Sequence, residues 1–202
     1  MNISYHLALE FTRLLSKLLL RIRYSGRENL PTEGGYVVAC NHRSLIDPVI
    51  VAHGLSRKVC YMAKAELFGN PILARIFGSW GVFPVSRGAG DMTAINHAVE
   101  ILQGGGLLGI FPEGTRSFDG KPLRFKSGMA HIAKTAGVGI VPCALIFEGR
   151  MGFFKKAEMK IGTPMSYDEL FGEEQSTAAL KRATKLVSER IGEMLAQEEK
   201  AE

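Results

Sequence analysis

Five short apolar runs, separated by stretches of helical periodicity, constrain this chain more than any other feature in it. They are Tyr36 to Cys40, Val59 to Ala63, Val82 to Val85, Leu107 to Phe111 and Ile140 to Phe147, all rich in valine, isoleucine and aromatic residues. Continuous apolar runs without polar alternation are strands buried on both faces, as parallel sheets require when helices cover them. The clearest helical pattern lies over Asp91 to Gln103, where Met92, Ile95, Val99 and Leu102 share one face and Gly104 supplies the stop. Strand and helix alternate, so the expected fold class is α/β, a mixed and largely parallel sheet flanked by helices in a single domain. A chain of 202 residues suffices for one well-packed core.

The two ends carry helical periodicity of different kinds. Over Thr177 to Leu195, Leu180, Leu186, Val187, Ile191 and Met194 predict a packed helix that frays into the acidic tail Glu198 to Glu202. Over residues 5 to 23, Leu7, Phe11, Leu14, Leu15, Leu18, Leu19 and Ile22 recur at spacings of three and four, with Arg13, Lys17 and Arg21 between them. That amphipathic pattern fits two helices equally: one docked on the core, and one lying in a bilayer interface with its cations among head groups. Glu10, Arg13, Lys17 and Arg21 interrupt the apolar stretch, which therefore lacks a cleavable signal's form. No stretch reaches the roughly 18 to 20 apolar residues that a spanning helix needs.

A net charge of +5 calls for an anionic partner, whether nucleic acid, anionic lipid or a phosphorylated small molecule. Nucleic acid would require a basic stripe with stacking aromatics, whereas the aromatics here sit mostly in apolar runs, so no nucleic acid partner is expected. Cys40, Cys60 and Cys143 lie far apart in hydrophobic segments, without disulfide or metal-ligand spacing; they are expected to be reduced core residues, and no metal is expected. Gly104, Gly106 and Gly109 match the glycine pattern of a dinucleotide site, but they follow a helix and lead into a strand, the reverse of what that site needs. Neither a Walker loop, an HExxH pair nor a GxSxG elbow is present.

Chemistry concentrates after three of the strands. Asn41 to Pro48 directly follow the run Tyr36 to Cys40, where loops of α/β proteins host ligands. On a regular helix His42 and Asp47 would lie about 140° apart, so they pair only if His42 precedes the helix. Ser44 or Asp47 as cap, and Pro48 in the first turn, write that break into the sequence. An aspartate on one imidazole nitrogen fixes the tautomer and leaves the other nitrogen to take a proton from a hydroxyl: a dyad without a protein nucleophile. Taken alone, the same pair also reads as a helix cap beside an ordinary turn histidine. Phe111 to Ser117 place Glu113 and Arg116 after a second strand, and Gly81 to Arg87 place Arg87 after a third. Arginine's rigid fork suits phosphate, so the two arginines suggest a phosphate clamp.

In order and spacing these blocks resemble the glycerolipid acyltransferases, and most closely the bacterial 1-acylglycerol-3-phosphate branch. The matching blocks are Asn41 to Pro48 with its His-x4-Asp, Gly81 to Arg87, Phe111 to Ser117, and Val141 to Leu145 centred on Pro142. Met62 to Phe68 also looks like the phosphatidate-forming branch, and the whole resemblance runs from about Tyr36 to Thr163. It implies that His42 is a general base oriented by Asp47, acting in one direct displacement with no acyl-enzyme. It gives Arg87, Glu113, Gly114, Thr115 and Arg116 to the acceptor's glycerol phosphate, with Lys64 and Lys126 as further cations and Pro142 shaping the acyl region.

The implied reaction moves an acyl group from acyl-CoA or acyl-ACP, as co-substrate rather than cofactor, to the sn-2 hydroxyl of lysophosphatidic acid. The product is phosphatidic acid, for phospholipid biosynthesis. Residues 1–30 would form a membrane-association helix and residues 31–202 the acyltransferase domain, peripheral or monotopic on the cytoplasmic face of the inner membrane. Ser86 departs from the family, which often has an aspartate before the arginine, so another lysophospholipid or lipid alcohol stays open as acceptor. A non-catalytic membrane-binding module is the alternative outside enzymes.

Overall fold

The computed structural model describes residues 21–86, 91–117, 123–147, 156–174 and 176–199. Within them lie strands β1 (Arg21–Ser25), β2 (Tyr36–Cys40), β3 (Val59–Lys64), β4 (Val82–Val85), β5 (Leu107–Ile110), β6 (Gly139–Phe147) and β7 (Lys156–Ile161). They form one seven-stranded sheet in the order β1-β7-β6-β2-β5-β3-β4. Every neighbouring pair is parallel except β6 with β7, so the sheet is mixed and largely parallel. The described α-helices are α1 (Asp47–Gly54), α2 (Pro71–Ser79), α3 (Met92–Gln103), α4 (Gly128–Ala136), α5 (Tyr167–Leu170) and α6 (Thr177–Glu199).

The two-residue period of a strand divides the core into two layers. Val37 and Ala39 of β2, with Leu108 and Ile140, face Ala98 and Leu102 of α3, Met129 and Ala133 of α4, and Val187 and Ile191 of α6. Val38 and Cys40, with Leu107, Val141 and Cys143, face the other way onto Ile50 and Val51 of α1 and onto Leu30 and Leu55. β2 and β6 are thus apolar on both faces because both are covered. β4 departs from that expectation: it is an outer strand, half-buried apart from an exposed Pro84, and a proline is tolerated where the missing N–H faces no partner. Cys40 and Cys143 are core residues as expected, while Cys60 is half-buried.

Two strands outside the five apolar runs complete the sheet. β7 reads Lys156, Ala157, Glu158, Met159, Lys160, Ile161, whose charges mask the alternation that buries Ala157, Met159 and Ile161. β1 corrects the expected N-terminal helix at its end. The pattern predicts helix through residue 23, yet 21–25 pair in register with β7, Arg21 opposite Lys156 through Ser25 opposite Lys160. In the sequence Arg-Ile-Arg-Tyr-Ser the exposed arginines alternate with Ile22 and Tyr24, which pack on the core, a period of two that the longer helical pattern overran. A break at residue 30 between helix and acyltransferase domain therefore falls too late, since β1 is part of the sheet. The rest of that expected helix lies outside the described residues. Among those described, no helix is long and apolar enough to cross a membrane.

Candidate active site

Because β6, β2, β5, β3 and β4 all run parallel, their C-terminal ends share one edge of the sheet, where α/β proteins hold their ligands. β2 lies between β6 and β5, so the turn after β2 adjoins the turn after β5. That neighbourhood brings residues 41–48 and 111–117 together. Ser117 donates its backbone N–H to the His42 carbonyl at 2.8 Å, stitching one turn to the other.

His42 leaves β2 before α1 begins, as the spacing required. Its Nδ1 lies 2.8 Å from Asp47 Oδ2. Asp47 is fully buried and the His42 side chain is 18% exposed, so the pair is held from within and the imidazole still reaches solvent. The same oxygen, Oδ2, accepts the backbone N–H groups of Arg43 at 2.6 Å and Ser44 at 2.7 Å. Three donors on one oxygen fix the carboxylate's orientation and make it the acceptor for Nδ1–H, which leaves Nε2 with the lone pair. The cap expectation needs correcting on this point. Ile46 occupies the N-cap position with no side-chain hydrogen bond, and Asp47 turns back into the loop instead of capping α1. Pro48 does stand in the first turn.

The imidazole rests on an aromatic support. Phe111 stacks on His42 with ring centroids 4.2 Å apart and planes 22° from parallel, and Tyr61 lies behind it at 6.2 Å. Tyr61 Oη donates to the Pro48 carbonyl at 3.0 Å, joining the stack to the start of α1. Gly109 makes this possible. A Cβ there would lie 2.2 Å from Tyr61 Cε1, so a side chain at that strand position would evict the ring. The glycine that mimics a dinucleotide motif is present for packing against an aromatic.

Of the residues assigned to the acceptor by resemblance, Glu113, Gly114, Thr115 and Arg116 lie in the turn after β5. Arg116 is half-buried and Thr115 exposed. Gly114 takes φ +71°, and a Cβ on it would stand 2.9 Å from Lys126 Nζ, which places the Lys126 side chain across the turn. The Lys126 backbone N–H bonds the Pro112 carbonyl at 2.8 Å. Lys64 ends β3 at the same edge and is exposed. Arg87 lies outside the described residues, although Ser86 before it donates its N–H to Asp91 Oδ2 at 3.0 Å. Pro142 is not brought to this cluster: it is buried within β6 opposite Ala39, with its ring towards Gly162.

Glu113 is only 3% exposed. Its Oε1 accepts the His42 N–H at 3.4 Å, while Oε2 is buried with no partner among the described residues. Burial pushes its carboxyl up to about 7, against the pull of the N–H donors of His42 and Leu123. Neighbouring Asp47 pushes in the same direction as burial. Asn41 also escaped the functional reading. Its buried amide donates to the Leu145 carbonyl at 2.9 Å and accepts the Leu145 N–H at 2.7 Å, clamping the end of β2 to β6.

These bonds narrow the search for oxyanion donors. The N–H groups of His42, Arg43 and Ser44 are taken by Glu113 and Asp47, and that of Ile46 bonds Ser44 Oγ at 3.4 Å. Most of the backbone N–H groups in the turn around His42 are thus engaged and not open to an oxyanion.

Comparison with known proteins adds an independent line. The family model described as Acyltransferase matches residues 21–146. The 1-acyl-sn-glycerol-3-phosphate acyltransferase of Bacillus subtilis (strain 168) is 33% identical over 179 residues, covering 86% of this chain and 87% of the relative. The chloroplastic 1-acyl-sn-glycerol-3-phosphate acyltransferase of Arabidopsis thaliana is 31% identical over 134 residues, 65% of this chain but only 37% of the plant protein. Among solved structures, the 1-acyl-sn-glycerophosphate acyltransferase PlsC of Thermotoga maritima superposes with a TM-score of 0.73 at 27% identity, covering 94% of this chain and 79% of that one.

Proposed function

Since this chain belongs to the acyltransferase family, we propose that it transfers an acyl group from a thioester to the sn-2 hydroxyl of a 1-acylglycerol 3-phosphate, forming phosphatidic acid. The observation that carries this reading is the 2.8 Å contact of His42 Nδ1 with a buried Asp47. Nε2 takes the proton of the acceptor hydroxyl as its oxygen attacks the thioester carbonyl. The C–S bond then breaks and the imidazolium returns the proton to the departing thiolate, whose parent thiol has an ordinary pKa near about 8.5 and leaves readily. Asp47 holds the tautomer through both proton transfers. No protein nucleophile is acylated.

The acceptor's phosphate is read by cations at the shared edge: Arg116, with Lys64, Lys126 and Arg87, while Gly114 and Thr115 shape the turn and Pro142 the acyl region. Acyl-CoA and acyl carrier protein both satisfy the donor chemistry, and no cofactor is needed beyond that co-substrate. We place the protein at a bilayer surface on the cytoplasmic side. Supporting this, the large exposed hydrophobic side chains among the described residues, Leu45, Ile46, Leu67, Ile72, Leu73, Ile76 and Met92, all lie in connections that leave the C-terminal edge of the sheet. Hence the acceptor's acyl chain and the reacting histidine meet the same surface.

The test is thiol release from an acyl thioester, with purified protein, detergent-dispersed lysophosphatidate and a His42→Ala control. Release that needs both the acceptor and His42 supports acyl transfer. Thiol without acceptor would make the protein a thioesterase; none with any lysolipid and either carrier would favour a membrane-binding module. Ser86 in place of the family's aspartate favours including other lysophospholipids in the acceptor panel.

A further inference from the structure

The resemblance gives Glu113 to the acceptor's glycerol phosphate, but the fold keeps its carboxylate inside. The side chain is 3% exposed, and Oε1 already accepts the N–H of the residue that carries the reacting imidazole. Among the described residues, the buried side-chain oxygens lacking a partner are Asp47 Oδ1 and Glu113 Oε2, on two acids close enough to repel. Such a pair is relieved when one member keeps a proton. The choice of member follows from the contacts. Among the described residues Asp47 Oδ2 gathers three N–H donors, whereas Glu113 has two, the N–H groups of His42 and Leu123.

We propose that Glu113 is a positioning residue that works as a neutral carboxylic acid: it anchors the His42 backbone to the turn after β5 without placing a second negative charge beside Asp47. The proton sits on Oε2, since Oε1 is the accepting oxygen. This inference rests on the acyltransferase reading for its kinetic consequences only. The groups that act on Glu113 are the charges of Asp47 and Arg43 and the N–H groups of His42 and Leu123, and the buried thiol of Cys40 at the end of β2 feels its charge; the Lys126 side chain lies against Gly114, the next residue. A neutral Glu113 also leaves the cations of the edge available to the acceptor's phosphate. An ionised one would compete for them and would set a second buried anion beside Asp47.

Glutamine keeps the accepting oxygen and the uncharged state, so it separates positioning from charge. Glu113→Gln should retain kcat within about threefold and leave KM for lysophosphatidate unchanged, whereas Glu113→Ala should lose about a hundredfold in kcat with little change in KM. Wild type should lose kcat as pH rises through about 7, and Glu113→Gln should lack that limb. A glutamine variant as damaged as the alanine one, or a KM for lysophosphatidate raised tenfold in Glu113→Gln with kcat intact, overturns the proposal in favour of an anionic acceptor contact. Thermal melting tests it without any substrate. The folded-state pKa lies above the ordinary value of 4.5, so wild type has this group's full contribution at low pH and loses it as pH rises towards 7. Glu113→Gln does not titrate and should melt increasingly above wild type between pH 5 and 8 on that account, while parallel curves would refute the neutral acid. If no lysolipid supports thiol release, the acyltransferase reading fails while the melting comparison still decides the state of Glu113.

Discussion

At the scale of single residues the site is a set of backbone constraints converging on one imidazole. Asp47 holds the ring through Nδ1 and holds the loop through the N–H groups of Arg43 and Ser44 with the same oxygen. Asp47→Asn should keep much of that loop geometry yet favour the wrong tautomer, lowering kcat by about a thousandfold with KM and melting temperature little changed, as steady-state kinetics and calorimetry would show. Gly109→Ala should do the opposite. Its Cβ would meet Tyr61 at 2.2 Å, which displaces the ring behind Phe111 and should lower the melting temperature by about 5 °C. His42 and Asp47 were legible because their chemistry sits within six consecutive residues. Phe111 under the imidazole, Asn41 on Leu145 and Tyr61 over Gly109 were not, because each contact joins residues brought together only by the sheet; Asn41 and Leu145 are 104 positions apart. Glu113 was legible as a member of a block and misread in its surroundings, since sequence does not say which face of a turn is inside.

Among the described α-helices, α2 alone has no buried residue; Ile72 is 69% exposed, with Leu73 and Ile76 beside it. What holds its start is local: Pro71 in the first turn and Asn70 accepting the N–H groups of Ile72 at 2.9 Å and Leu73 at 3.3 Å. Ile72→Ser with Leu73→Ser should therefore leave the melting temperature within a degree or two of wild type, since exposed positions carry little stability. The same double variant should bind anionic vesicles more weakly in a flotation assay, and equal flotation would argue that the bilayer is met elsewhere. The five apolar runs all became strands because burial on both faces leaves a continuous signature. β1 and β7 were missed for a physical reason: they form the outer side of the sheet, where lysine, arginine and glutamate alternate with the residues that pack. Glu158 shows how a charge is accommodated there, accepting the Ser25 hydroxyl at 2.6 Å across the β1–β7 pair.

The whole molecule is a sheet whose parallel strands β6, β2, β5, β3 and β4 deliver their C-terminal ends to one side, where the turns that carry His42, Asp47, Glu113 and Arg116 meet. Its net charge of +5 adds a long-range attraction to anionic lipid that salt screens over about 10 Å at 0.1 M. Vesicle binding should accordingly weaken as salt rises to 0.5 M, with the residue left at high salt reporting the apolar share. The α/β class was readable from sequence, and so were the strand ends that meet at the candidate site, because apolar runs carry both patterns; the outer strands β1 and β7 were not. One further consequence concerns time. The Ser25–Glu158 bond spans 133 positions, so the first described strand must wait for the last described strand before it has a neighbour in the sheet. During synthesis β1 leaves the ribosome long before its partner exists, and loop closure on that scale is slow. β1 can be secured in the sheet only after Lys156–Ile161 have been made; nascent chains arrested before Lys156 should remain open to protease at 21–25.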